Sequence, residues 1–157
     1  MGTNVYEKCK KYDAFGFVAK KKAEGRIRQV GMSFHDMPEL LEEILSQYGE
    51  VLDFVQLQIN YMDWEQPNVQ ARRCLEVVRR YGKPVTVMEP CKGGTLVNLP
   101  EEAEALLKKT RPQASNASWA MRFAASQEGV TRVLSGMNSM EQVEDNTGVF
   151  LNFEPIS

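Results

Sequence analysis

The chain has 157 residues, 43% of them hydrophobic and 25% charged, which is long enough to build one real core. Its net charge is -2, and its lysines and arginines are scattered rather than run together, so it lacks the basic footprint that nucleic acid or an acidic membrane selects. No apolar run approaches the roughly 18 residues of a bilayer span and the N-terminus lacks the apolar region of a secretory signal, so a single cytoplasmic domain over residues 1–157 is expected.

The three cysteines, Cys9, Cys74 and Cys91, form an odd set without Cys-x-x-Cys spacing. They read as free thiols rather than a disulfide framework or a zinc ribbon.

In chain order, residues 1–11 carry neither a strand pattern nor a cap. From Tyr12 to Glu24, the residues Phe15, Val18, Ala19 and Lys22 fall at helical spacing and the run stops at Gly25, which suits a left-handed helix end. A short strand is expected over Ile27–Met32, with Gly31 permitting a bend or a close backbone approach. Asp36-Met-Pro-Glu39 then supplies an N-cap, an early proline and an acidic third position before Leu40, Leu41, Ile44 and Leu45. The alternation over Phe54–Ile59 predicts a half-buried strand, followed by the polar-aromatic loop Asn60–Pro67. Ala71, Cys74, Leu75 and Val78 form a helical stripe closed by Gly82.

Pro84–Met88 is the third strand, and the glycines and proline of Glu89–Gly94 rule out a continuing helix at its tip. Proline and carboxylates from Pro100 open one helix. Ser118 is expected to open the next, with Trp119, Ala120, Phe123 and Ala124 facing one way. The last round is a strand over Val130–Leu134, a tip at Ser135–Asn138, and a capping box, Ser139-x-x-Gln142, opening a short helix through Asn146.

Strands alternating with helices argue for a parallel α/β sheet, whose polar tips share one carboxyl edge. That edge is where ligands bind in such folds. Several residues there tempt a catalytic reading. His35 has no identifiable carboxylate partner and reads as a loop residue; Glu89 reads as a turn cap or a partner for Lys92; Gly93-Gly94 lacks the lysine and hydroxyl of a P-loop and reads as a turn.

Four motifs stand in register: Gly25-x-Ile-Arg-x-x-Gly-x-Ser-Phe, Asp53-Phe-Val-Gln-Leu-Gln-x-Asn, Pro84-Val-x-Val-Met-Glu-Pro-x-x-Gly-Gly and Val133-Leu-Ser-Gly-Met-x-x-x-x-Gln142. Together they resemble the second half of an aldo/keto reductase barrel. The resemblance implies half of a TIM (β/α)8 barrel, strands five to eight, with helices on the outer face, and a cradle for NADP or NAD at the carboxyl edge. By the same resemblance Ser33 and Gln56 hold the nicotinamide carboxamide. Met88 stands where many members stack a tyrosine on the ring. Ser135, Gly136 and Met137 match the phosphate-receiving turn, and Gln142, Asp145 and Asn146 match the adenine side.

Two departures matter. No basic residue occurs from Val133 to Ser157, so the usual anchor for the 2′-phosphate of NADP has no counterpart. The family's aspartate, tyrosine, lysine and histidine, contributed by the first four strands, have none either. A makeshift acid from Tyr61 and Lys92 is disfavoured because a working proton donor needs tuned geometry. The expectation is a reductase fragment inactive alone, with an apolar inner face and raw sheet edges covered by self-association or a complementary N-terminal half-barrel. The alternative is a non-enzymatic nucleotide-binding or regulatory module with a flavodoxin-like open sheet.

Overall fold

β-Branched and aromatic residues set the strands, and their register sorts them onto two faces. In the computed structural model, which describes residues 1–151 and 153–156, β1 (Gly31–Phe34), β2 (Phe54–Gln58), β3 (Val85–Met88) and β4 (Val130–Val133) form one parallel sheet in the order β1-β2-β3-β4. Right-handed crossovers stepping in a single direction place the intervening helices on one face. A flavodoxin-like sheet instead reverses its order at a switch point. The described strands show no reversal, which removes the support for that alternative.

One face of the sheet is apolar. Met32, Phe34, Val55, Leu57, Val85 and Val87 join Leu41, Ile44 and Leu45 of α3 (Pro38–Tyr48) and Leu75 and Val78 of α4 (Ala71–Arg80) in one buried core. By register, the other face carries Ser33, Gln56, Gln58, Thr86, Met88 and Arg132. The expected apolar inner face is therefore mostly polar, because period-two alternation sends every other residue there. Met88 and Phe54 are the apolar exceptions, and the Phe54 ring lies over Gly31. A Cβ at Gly31 would sit 2.4 Å from that ring, so the glycine serves close approach.

The unassigned N-terminal residues form a helix, α1 (Thr3–Lys11). Its first turn is held from a distance: the Asp36 carboxylate accepts from the Thr3 N–H and hydroxyl, both at 2.8 Å. Asp36 is therefore not the N-cap of α3. That position is Met37, with Pro38 opening the helix. Tyr6 of α1 packs edge-on against Phe15 of α2 (Ala14–Ala23) and Tyr48 of α3.

β1 begins four residues later than the sequence suggests. Val30 N–H donates to the Asp53 carboxylate at 2.7 Å, so a side chain takes the place of a ladder partner. Lys22 closes the other side of that carboxylate at 2.6 Å. In the second half, α5 (Glu101–Thr110) precedes α6 (Asn116–Ala125), whose N-cap is Ser115. Ser115 accepts from Ser118 N–H at 3.0 Å, while Ser118 is buried one turn inside. α7 (Met140–Leu151) runs past Asn146 by more than a turn, carried by buried Val149. No helix among the described residues is long and apolar enough to cross a membrane.

Candidate functional site at the carboxyl edge

Adjacent strand ends bring three of the expected residues together. Ser33 and Gln56 are register partners on β1 and β2, and the Gln56 Nε2 lies 3.2 Å from Met88 Sδ. Ser33 is exposed, Gln56 is partly buried and Met88 is only 9% exposed. A thioether is a weak acceptor, so Gln56 keeps most of its hydrogen-bonding capacity. The result is a small platform of hydroxyl, carboxamide and polarisable sulfur on one face.

His35 stays apart from that platform. Its backbone N–H donates to Met1 O at 2.9 Å, and burial, with the N-terminal amine, pushes the imidazole pKa down. Its side chain borders a cavity of about 80 Å3 shared with Asp36, Gln58 and Cys74.

A larger cleft, about 360 Å3, opens between the β3 and β4 tips and is bordered by Glu89, Cys91, Gly93, Ser135, Gly136, Gln142 and Asn146. Asn146 is buried and donates from Nδ2 to Ser135 Oγ at 3.1 Å. The capping box forms: Gln142 N–H donates to Ser139 Oγ at 3.3 Å, and Gln142 Oε1 accepts from Asn138 N–H at 2.9 Å. Burial raises the Cys91 thiol pKa, and Asp145 adds to the rise.

Two expected residues lie outside the cleft lining. Met137 is exposed. Asp145 accepts from Ser115 Oγ at 2.6 Å and faces a neighbouring groove of about 450 Å3 shared with Arg111 and Arg122.

Sequence reasoning missed a fully buried carboxylate at the edge. Asp63 is fully buried and accepts from Gln58 Nε2 at 2.7 Å, from Asn60 Nδ2 at 2.8 Å and from Lys92 Nζ. Burial pushes its carboxyl pKa up, but the bonds from Lys92, Asn60 and Gln58 outweigh that and hold it below the ordinary carboxylate range. Asn60 also reaches Glu89 O at 3.1 Å, tying the β2 tip to the β3 tip. There Glu89, Lys92, Gly93 and Gly94 all take positive φ. The signal available in the sequence was Asn60-x-x-Asp63, an Asx-type turn in which Asp63 N–H donates to Asn60 Oδ1 at 2.9 Å.

The aldo/keto reductase family model matches residues 5–157. The chain belongs to the aldo/keto reductase family. No curated protein sequence matches it. Among solved structures it is similar to aldo-keto reductase AKR11C1 from Bacillus halodurans in its holo form, at 21% identity and a TM-score of 0.68, covering 88% of this chain and 49% of that one. It is also similar to the thermostable aldo-keto reductase Tm1743 in complex with the inhibitor epalrestat, at 19% identity, TM-score 0.69 and coverages of 88% and 48%. A third relative is an aldo-keto reductase from Klebsiella pneumoniae in complex with NADPH, at 19% identity, TM-score 0.66 and coverages of 89% and 48%. At these identities the likeness is one of fold, and the chain spans about half the length of the solved structures it matches.

Within that family setting, the chain's own tyrosine and lysine at the edge do not form a proton-donating pair. Lys92 is committed to Asp63. The Tyr61 hydroxyl is buried without a partner among the described residues, and burial raises its pKa. No cluster of three or more His, Cys, Asp or Glu among the described residues is arranged to hold a metal.

Proposed function

We propose that this chain supplies strands five to eight of an NAD(P)-dependent aldo/keto reductase barrel, as a single domain, and carries much of the dinucleotide cradle without the acid-base set. The observation that carries this reading is the shared face of Ser33, Gln56 and Met88 at adjacent strand ends, next to a cleft leading to Ser135, Gly136 and Asn146.

The residues present fit a nicotinamide dinucleotide. Ser33 Oγ and the Gln56 carboxamide offer one donor and acceptor pair each for a primary amide, and so fix which ring face is presented. Met88 gives the ring a polarisable contact. Beyond the platform, Gly136 lets the chain approach a phosphate with no side chain in the way, and Ser135 stands beside it, braced by Asn146. Met137, Gln142 and Asp145 flank the adenosine end. Bound there, the dinucleotide supplies a hydride; the protein residues orient it.

What the chain does not supply is a positioned proton donor for the developing oxyanion. By this reading it does not reduce carbonyl compounds alone. The free β4 edge and the exposed Leu134, Met137, Met140, Phe150 and Leu151 of the segment that follows it call for a covering partner, either a second copy or a complementary N-terminal half-barrel. Three free thiols among the described residues suit a reducing, cytoplasmic setting.

Titration of the purified chain with NADH, followed by tryptophan fluorescence, tests the cradle. Ser33→Ala and Gln56→Ala are each expected to weaken binding about tenfold, the loss of one or two amide hydrogen bonds. Binding unaffected by both substitutions contradicts the reading.

A further inference from the structure

We infer that a second copy of this chain docks head to tail, the acidic outer face of α7 in one copy lying on the basic outer faces of α1 and α2 in the next. The contact rests on the need for a covering partner argued above and is independent of the cradle.

The net charge of -2 conceals a separation. Residues 1–30 hold eight basic and three acidic side chains, whereas residues 133–157 hold four acidic ones and no basic one. At the N-terminal end the cations gather on helix faces turned away from the core. Tyr6 is the buried residue of α1 and Phe15 that of α2; helical spacing sets Lys8 and Lys11 opposite Tyr6, and Phe17 and Lys20 opposite Phe15. Lys8, Lys11 and Lys20 are exposed and make no ion pair among the described residues. Tyr12 and Phe17, 72% and 59% exposed, lie between them in the chain. Lys11 Nζ is 5.4 Å from the Tyr12 ring centroid and Lys21 Nζ 5.6 Å from that of Phe17, so cations and rings form one mixed surface.

The outer face of α7 has the opposite charge. Asn146 and Val149 are the buried residues of this helix. Met140, Glu144 and Leu151 recur at spacings of four and seven on the side turned away from them, with Glu141 beside Met140. Met140 and Leu151 are 68% and 81% exposed. Glu141 and Glu144 are exposed and unpaired among the described residues. Large apolar side chains this bare on one helix face mark a contact surface.

The two surfaces match in kind, carboxylates to ammonium groups and aliphatic side chains to aromatic rings. Neither matches itself. Packing α7 on α7 sets Glu141 and Glu144 against their own copies, and packing α2 on α2 does the same to Lys20, so the contact joins two different surfaces. A single such contact leaves one surface unused on each copy, and assembly therefore grows with concentration or closes into a ring. An anionic bilayer or a polyanion would occupy the lysine face alone and leave α7 bare; a second copy covers both.

Sedimentation velocity of the full chain at low and high salt tests the contact, alongside the double variants Lys11→Glu/Lys20→Glu and Glu141→Lys/Glu144→Lys. The parent chain is expected to associate at low salt and at least about tenfold more weakly at high salt, where the charges are screened. Each double variant alone sets like charges against each other and is expected to associate at least about tenfold more weakly than the parent. An equimolar mixture of the two is expected to restore association, because the reversed surfaces match; mixing does not repair a folding defect. Association of either double variant equal to that of the parent, or a mixture without rescue, overturns the head-to-tail contact. So does a monomeric parent at low salt, including one whose lysines bind phosphatidylserine vesicles instead. NADH titration of the parent chain reads the cradle separately.

Discussion

Asp63 shows how a single residue can organise a tip. It is buried beneath the edge and collects donors from Gln58, Asn60 and Lys92, and through Asn60 it reaches the β3 turn, where Glu89 and Lys92 hold positive φ. Left-handed backbone at non-glycine residues costs of order 1 kcal/mol each and persists only when its surroundings impose it. Asp63→Ala removes the common acceptor and leaves buried amides unpaired, so it is expected to destabilise by about 3 kcal/mol in urea unfolding. Asp63→Asn, which keeps one acceptor oxygen, is expected to cost less. Equal stability of Asp63→Ala and the parent chain would show that the turn is held by something else. Asp36 and Asp63 also mark what a linear reading overlooks. Each looks local in the sequence, as a cap and a loop residue. Asp36 bonds Thr3, 33 residues away, and Lys92 bonds Asp63 across 29 residues, distances that no spacing rule reports.

Element by element, the strands and helices were legible where periodicity was strong. The stripe of α4, the alternation of β2 and the apolar run of β3 all form where expected. Boundaries failed where a long-range side chain decided them. Asp53 intercepts Val30 N–H and delays β1; Asp36 supplies the missing cap of α1; and Ser115 displaces Ser118 at the start of α6 because the backbone at Ser115 is extended and its hydroxyl reaches Ser118 N–H. Ser115→Ala is therefore expected to cost about 1 kcal/mol, the usual value of a lost N-cap, measured as a shift in the urea midpoint. It also frees Asp145. The Gly31 contact makes a second expectation at this scale. Gly31→Ala, which puts a methyl into the Phe54 ring, is expected to cost about 1–2 kcal/mol, and the double variant with Phe54→Ala is expected to recover the part due to the clash.

For the whole molecule, charge pairing gives stability a defined pH window. Hydrogen bonds from the Thr3 and Met37 N–H groups lower the Asp36 carboxyl, and Lys22 with the Val30 N–H lowers Asp53; Asp63 is lowered as well. Folded carboxyls below their unfolded value, about 3.9, stabilise the native state above that pH. The contribution is lost as pH falls through the folded values. Unfolding midpoints are expected to drop on acidification below about pH 4, and Asp53→Asn is expected to flatten part of that drop. At the alkaline end, burial and the bond to Glu43 push Tyr6 up to about 12. That contribution is complete below about pH 10 and fades as pH rises towards the folded value, and Tyr6→Phe removes the dependence.

Architecture and site were unequally readable at this scale. The single winding direction follows from four strand-helix rounds, and Ser33 and Gln56 meet because parallel register puts them side by side. The polarity of the uncovered face was open to a period-two reading of the strands, whereas the commitment of Lys92 to Asp63 and the neighbouring groove that takes Asp145 depend on packing between distant segments. The same view sets the expectation for assembly. With a free β4 edge and an exposed apolar rim along α7, the chain is expected to associate, and light scattering at high concentration checks it, a monomer counting against the covering partner.

A cradle without a proton donor is tested most directly by turnover. Oxidation of NADH by the purified chain, followed by absorbance across a panel of aldehydes and ketones, is predicted not to exceed the protein-free rate, even at concentrations where NADH is bound. Carbonyl reduction above that rate, abolished by Tyr61→Phe, would contradict it.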